Sequence, residues 1–252
     1  MKLNYEEQGF GYSKNVVLIH GLSDDLNFWN PLLKLFPQYH ILRMDLPGHG
    51  KSENITKDIN IDEITDEVYS LIKSRNINKT LLIGFSLGGA IAQNITIKHP
   101  ELVESLILMS SFSYSDDNIK YQSTRLMDAL DNEGFEGFVK KILPLVVIED
   151  LLKDETLFEN IIAEKLGEQD LNSLKYSIYA CENFNIQDKI SEINCPTLIF
   201  SGFDDPFTTL NMAKEINSKI QDSKLVVFNN TKHNILMPYN FEVLSEEILE
   251  FL

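Results

Sequence analysis

Ser86 stands in the run Gly84-Phe85-Ser86-Leu87-Gly88-Gly89, directly after the apolar stretch Leu81-Leu82-Ile83 and before a segment of helical period. A hydroxyl at a sharp strand-to-helix turn is presented as a nucleophile, and such a turn needs neighbours without side chains, which Gly84 and Gly88 supply. The first N–H groups of the following helix lack acceptors and favour developing negative charge, so the Leu87 N–H is a candidate oxyanion donor. The chemistry this implies is acyl transfer through a serine.

A serine hydroxyl is a weak nucleophile and needs a base within hydrogen-bond reach, itself oriented by a third group. The chain has five histidines. His20 ends an apolar run, His40 opens one, His49 lies in a Pro-Gly-His-Gly turn and His99 precedes a helix-stopping proline. His233 is the candidate base, because it sits in the polar segment Asn229 to Asn234 immediately after the last apolar run, where catalytic loops of open parallel sheets gather. The orienting acid is expected in the loop after Thr197-Leu198-Ile199-Phe200, which offers two adjacent carboxylates, Asp204 and Asp205.

The elements that must position these groups are legible as apolar, β-branched runs alternating with helical periods, the pattern of βαβ units. Six parallel strands are predicted, at Val16 to Ile19, His40 to Met44, Thr80 to Ile83, Leu106 to Met109, Thr197 to Phe200 and Leu225 to Phe228, with a short edge strand at Leu3 to Glu7. Helices are predicted at Trp29 to Phe36, Ile61 to Arg75, Leu87 to Lys98, Leu210 to Ile220 and Phe241 to Leu252. The fold class is therefore α/β, a mostly parallel sheet with helices on both faces. From Phe112 to Glu192 no strand run appears; helical spacing at Ile119 to Leu130, Phe135 to Ile142, Ile148 to Leu166 and Leu171 to Cys181 predicts an inserted helical cap. The expected division is a core of residues 1–111 and 193–252 and a cap of residues 112–192.

Together, Leu18-Ile19-His20-Gly21-Leu22, the stretch Asp45 to Ser52, the turn at Ser86, Gly202-Phe203-Asp204-Asp205 and the late His233 resemble the α/β-hydrolase superfamily, specifically its small capped, carboxylesterase-like serine hydrolases. The resemblance spans the chain apart from the cap. It implies that the acid is the fourth residue of the Gly-x-x-Asp loop, Asp205, 28 residues before His233 (233 − 205). It also implies that the N–H after His-Gly, that of Leu22, is the second oxyanion donor, and that Asp45 to Ser52 is a structural loop. Relatives with an aspartate nucleophile are disfavoured by Ser86, and the lyase-type relatives commonly carry an arginine where this chain has Ala90.

The formal net charge is −16, and the cap interval carries 17 acidic against 8 basic residues. Such a field disfavours nucleic acid, anionic lipid surfaces and acidic carrier proteins, and three arginines make a polyanion clamp hard to build. The first residues contain no apolar run of signal-peptide type and no stretch is long enough to span a membrane, so cytoplasmic placement is expected. Cys181 and Cys195 are read as reduced, buried thiols. No cofactor and no metal are expected, and the expected partner is a small-molecule ester substrate, with the oligomeric state left open. The leading expectation is hydrolysis of small, neutral carboxylic esters by Ser86, His233 and Asp205. The alternatives are a monoacylglycerol lipase-like enzyme, with an acyl chain enclosed by cap residues such as Phe135, Phe138 and Ile142, a carbon–carbon bond hydrolase or lyase, and a non-catalytic receptor.

Overall fold

The apolar runs assemble into one sheet, seen in a computed structural model that describes residues 1–153, 156, 159–160 and 170–252. Its strands are β1 (Tyr5–Gln8), β2 (Lys14–Ile19), β3 (Tyr39–Met44), β4 (Thr80–Phe85), β5 (Val103–Met109), β6 (Thr197–Gly202) and β7 (Ser223–Phe228). Their spatial order is β1-β3-β2-β4-β5-β6-β7. β1 runs antiparallel to β3, and every other pairing is parallel. The six expected parallel strands are all present, and the edge strand lies two residues later than its predicted start at Leu3.

Alternation along the strands buries both faces. Val17 and Ile19 point into one apolar layer with α1 (Ile61–Ser74), α2 (Leu87–Lys98) and a later helix, α6 (Leu210–Lys219). Val16 and Leu18 point into the other, against Trp29 and Leu32 and against α7 (Phe241–Phe251). Three layers result because successive strand residues face opposite ways and both faces are apolar.

The stretch predicted as a helix from Trp29 to Phe36 is instead a 3₁₀ segment, Leu26–Leu35, with Pro31 inside it. Proline removes a donor and crowds the preceding turn, so the tighter coil replaces a regular α-helix.

Between β5 and β6 the chain leaves the sheet and forms α3 (Asp117–Val146), α4 (Glu149–Leu152) and α5 (Leu171–Glu182). The two helices expected at Ile119 to Leu130 and Phe135 to Ile142 form the two arms of α3, joined at Gly134, whose φ of 66° and ψ of −156° break the helical course. Most of the helix expected from Ile148 to Leu166 lies outside the described residues. Leu126, Leu130, Phe138, Leu174 and Ile178 give this excursion a small core of its own. Its stem is laced by Ile186 N–H to Ser113 O (2.8 Å) and Ser115 N–H to Phe184 O (2.9 Å). Tyr114 Oη pins that stem to α6 by donating to Glu215 (3.2 Å).

Cys181 is buried, and burial pushes its thiol up to about 12. Cys195 is only half-buried, contrary to the expectation for both thiols, because it lies in the loop entering β6 rather than inside a helix; partial burial still raises its pKa. Among the described residues no helix is long and apolar enough to cross a membrane.

Candidate active site

Parallel register brings the carboxyl ends of β4, β5, β6 and β7 to one rim, and the loops leaving β4, β6 and β7 carry Ser86, Asp205 and His233. Ser86 has φ 51° and ψ −116°, a conformation that non-glycine residues adopt only when their surroundings impose it. Here those surroundings are backbone. A Cβ on Gly84 would lie 2.3 Å from Gly88 O, and one on Gly88 would lie 2.1 Å from Ile19 O. Gly88→Ala should therefore destabilise the protein by about 3 kcal/mol or more, read as a lowered Tm, because the obstructing atoms are carbonyls of a central strand that cannot swing aside.

Ser86 occupies the N-cap position of α2, yet its hydroxyl makes no cap hydrogen bond. Its Oγ lies 2.9 Å from His233 Nε2, and His233 Nδ1 lies 2.8 Å from Asp205 Oδ2. All three side chains are buried. The rings of Phe85 and Phe207 flank the imidazole at centroid distances of 5.1 and 5.5 Å.

Asp205 Oδ1 accepts from the N–H groups of Phe207 (2.8 Å) and Thr208 (3.0 Å), and Oδ2 accepts from Thr208 Oγ1 (2.7 Å) as well as facing His233. A carboxylate held at both oxygens presents one fixed face to the imidazole. Asp204 is exposed, and its backbone N–H donates to Thr231 O (3.0 Å). The two loops cross closely at Gly202, where a Cβ would meet Lys232 O at 2.2 Å.

Leu87 is the first residue of α2, beside Ser86, so its N–H has no acceptor within the helix. Leu22 borders the same space. The backbone of Gly21 passes so close to the turn that a Cβ there would sit 3.3 Å from Ser86 Cβ. His20 accepts the Leu46 N–H at Nε2 (2.9 Å) and faces Gly21 O through Nδ1 (2.7 Å), so the ring carries its proton on Nδ1 and braces the loop. Asp45 is likewise structural: its carboxylate accepts from Leu26 N–H, Lys51 N–H and Asn4 Nδ2 at 2.7 to 2.9 Å.

Ser86 opens into a cavity of about 330 Å³. Phe28, Phe85 and Met237 line it on the sheet side, and Phe135, Phe138, Ile142, Leu143, Val146 and Val147 close it from α3 and the turn after it. Of the aromatic and apolar residues near the motif loops, Trp29 and Phe112 are buried in the core and Tyr239 is exposed. Among the described residues, the lining includes Asp24 and no Lys or Arg. No group of three or more His, Cys, Asp or Glu among the described residues is placed to hold a metal ion. Sequence reasoning missed Thr208, whose type and position three residues after an aspartate look like turn chemistry, and Asn234, whose N–H donates to Val146 O on α3 (2.9 Å).

Several known proteins are similar to this chain. The chain is 25% identical over 239 residues to an (E)-2-((N-methylformamido)methylene)succinate hydrolase of Acinetobacter baylyi, covering 92% of this chain and 87% of that one. It is 29% identical to a pimeloyl-[acyl-carrier protein] methyl ester esterase of Wigglesworthia glossinidia brevipalpis, covering 90% of this chain and 85% of the other. The crystal structure of an enol-lactonase from Burkholderia xenovorans superposes with a TM-score of 0.88 at 21% identity, over 99% of this chain and 95% of that one, a likeness of fold. A family model described as the alpha/beta hydrolase fold matches residues 14–238. With that match across strands β2 to β7 and their rim loops, the chain belongs to the α/β hydrolase fold family.

Proposed function

We infer that the protein is a serine esterase that hydrolyses small, neutral carboxylic esters through an acyl-enzyme on Ser86, with His233 as base and Asp205 as the orienting acid. The observation that carries this reading is the continuous chain of contacts from Ser86 Oγ through the imidazole to Asp205, opening onto an apolar cavity. Ser86 Oγ attacks the ester carbonyl carbon as His233 Nε2 takes its proton. The N–H groups of Leu22 and Leu87 hold the tetrahedral oxyanion. On collapse the alcohol departs with the proton from Nε2, and a water activated by the same nitrogen then releases the acid and restores the hydroxyl.

In this reading residues 112–192 act as a cap over the core of residues 1–111 and 193–252, and α3 supplies the acyl wall. A neutral substrate is supported by the cavity's apolar wall, the absence of a lining Lys or Arg among the described residues and the chain's net charge of −16. Each methylene that enters an apolar wall is worth about 0.8 kcal/mol, so kcat/KM should climb about fourfold per carbon until the cavity is filled. A series of p-nitrophenyl esters of increasing acyl length, run beside the matching acyl-CoA thioesters, tests the proposal. The neutral ester is expected to be preferred at every length. An acyl-CoA processed as well as its neutral counterpart would overturn the substrate class.

A further inference from the structure

We propose that Thr208 is a positioning residue of the Ser86–His233–Asp205 relay, acting through its hydroxyl on the Nδ1 side of the imidazole; this rests on the catalytic reading above. Thr208 Oγ1 lies 2.7 Å from Asp205 Oδ2 and 3.2 Å from His233 Nδ1, and the residue is 1% exposed. Asp205 Oδ2 itself lies 2.8 Å from Nδ1, so the hydroxyl, the carboxylate and the ring nitrogen form a closed triangle.

Proton accounting sets the direction of each bond. Asp205 is acceptor-only when ionised, so the single hydroxyl hydrogen goes to Oδ2. The hydroxyl oxygen then turns its lone pairs toward Nδ1, and the Nδ1–H points at two oxygens at once. A ring flip would forfeit both contacts. That leaves Nε2 unprotonated and aimed at Ser86 Oγ, the tautomer a general base needs. When the ring takes the Ser86 proton, the second acceptor at Nδ1 is already in place and the new charge requires no rearrangement.

The geometry separates the hydroxyl from the rest of the loop. The N–H groups of Phe207 and Thr208 reach Asp205 Oδ1 whatever side chain follows, so the backbone part of the turn does not require a threonine. Pro206 restricts the loop's backbone, and Asn118 Nδ2 on α3 holds it from outside by donating to Pro206 O (2.9 Å) and Phe207 O (3.2 Å). Within that rigid loop a β-branched side chain has few χ1 choices, which fixes the hydroxyl against the ring. Valine keeps the shape and the branching but loses the hydroxyl, while serine keeps the hydroxyl.

The test compares Thr208→Val, Thr208→Ser and wild type by kcat and KM on p-nitrophenyl butyrate and by the downfield proton resonance of His233 Nδ1–H. That resonance is identified by its loss in Asp205→Asn. Thr208→Val is expected to lower kcat about tenfold with KM within about twofold, and to shift the resonance and speed its exchange with water. Thr208→Ser is expected to restore kcat to within about twofold of wild type and return the resonance. A valine variant with unchanged kcat and resonance overturns the proposal. So does a serine variant as impaired as valine, since that marks a packing role for the methyl group. Thr208→Ala, read in the same way, decides the matter if the valine variant fails to fold. Failure of the esterase reading shows separately, as wild-type protein that hydrolyses no ester; the resonance then decides the role of Thr208 alone.

Discussion

Ser86→Ala is expected to lower kcat for p-nitrophenyl butyrate by about 10⁶-fold while leaving Tm within a few degrees of wild type. The size follows from the proposed mechanism, in which Oγ bonds the acyl carbon, and from the geometry, since it is the atom His233 Nε2 faces at 2.9 Å. In the proposed mechanism its removal leaves the N–H groups of Leu22 and Leu87 and the cavity to hold the ester, with no group to attack it. Stability changes little because the hydroxyl does not cap α2, and the strained backbone at Ser86 is imposed by the close approach of Gly84 and Gly88 rather than by the side chain. Rate and thermal denaturation measured on one preparation check both halves. A variant that keeps more than about one-hundredth of the wild-type rate would show that another nucleophile does the work.

Asp205→Asn is the second large effect, expected at about 10⁴-fold in kcat, with a specific cause in this loop. Oδ1 receives the N–H groups of Phe207 and Thr208, so an asparagine must place its carbonyl oxygen there. Its NH₂ is then forced to the Oδ2 position, facing His233 Nδ1. Two donors cannot share that space, so the ring gives up its Nδ1 proton and carries it on Nε2 instead, pointing it at Ser86 Oγ. In that tautomer the imidazole cannot accept the serine proton. Asp204→Asn is expected to stay within about twofold of wild type, because Asp204 is exposed and its hydrogen bond to Thr231 is made by backbone. Kinetics of the two single variants, side by side, check the assignment. A dead Asp204→Asn with an active Asp205→Asn would reverse it.

The turn at Ser86 was readable because its requirements are local. A strand, two glycines at fixed offsets and a helix start all lie within a dozen residues of Ser86, and each leaves its own mark in the sequence. His233 was readable for a related reason: strand direction places the loop after β7 on the same rim as the loop after β4. The acid was less so. Asp204 and Asp205 are adjacent and chemically alike, and the residues alone left both open until the family resemblance favoured Asp205. In the fold, the Asp204 N–H reaches Thr231 O and Asp205 turns inward beneath Phe207 and Thr208. The 3₁₀ course of Leu26–Leu35 was hidden by apolar spacing that suits either coil, and Pro31 decided between them.

Apolar residues such as Phe138 and Ile142 had two readings, as a packing face or as an acyl wall; in the fold Phe138 belongs to the small core around Leu174 and also lines the cavity beside Ser86. By itself, then, the amino-acid order determined the layered architecture, the position of the turn that presents Ser86 and the rim where its partners gather, because glycine tolerance and apolar period are properties of short segments. Only the tertiary structure decided which carboxylate meets the imidazole, what encloses the cavity and that the Thr208 hydroxyl lies within reach of both Asp205 and His233. Those outcomes depend on contacts of a few ångströms between segments far apart in the chain, and such distances are set by how the layers pack.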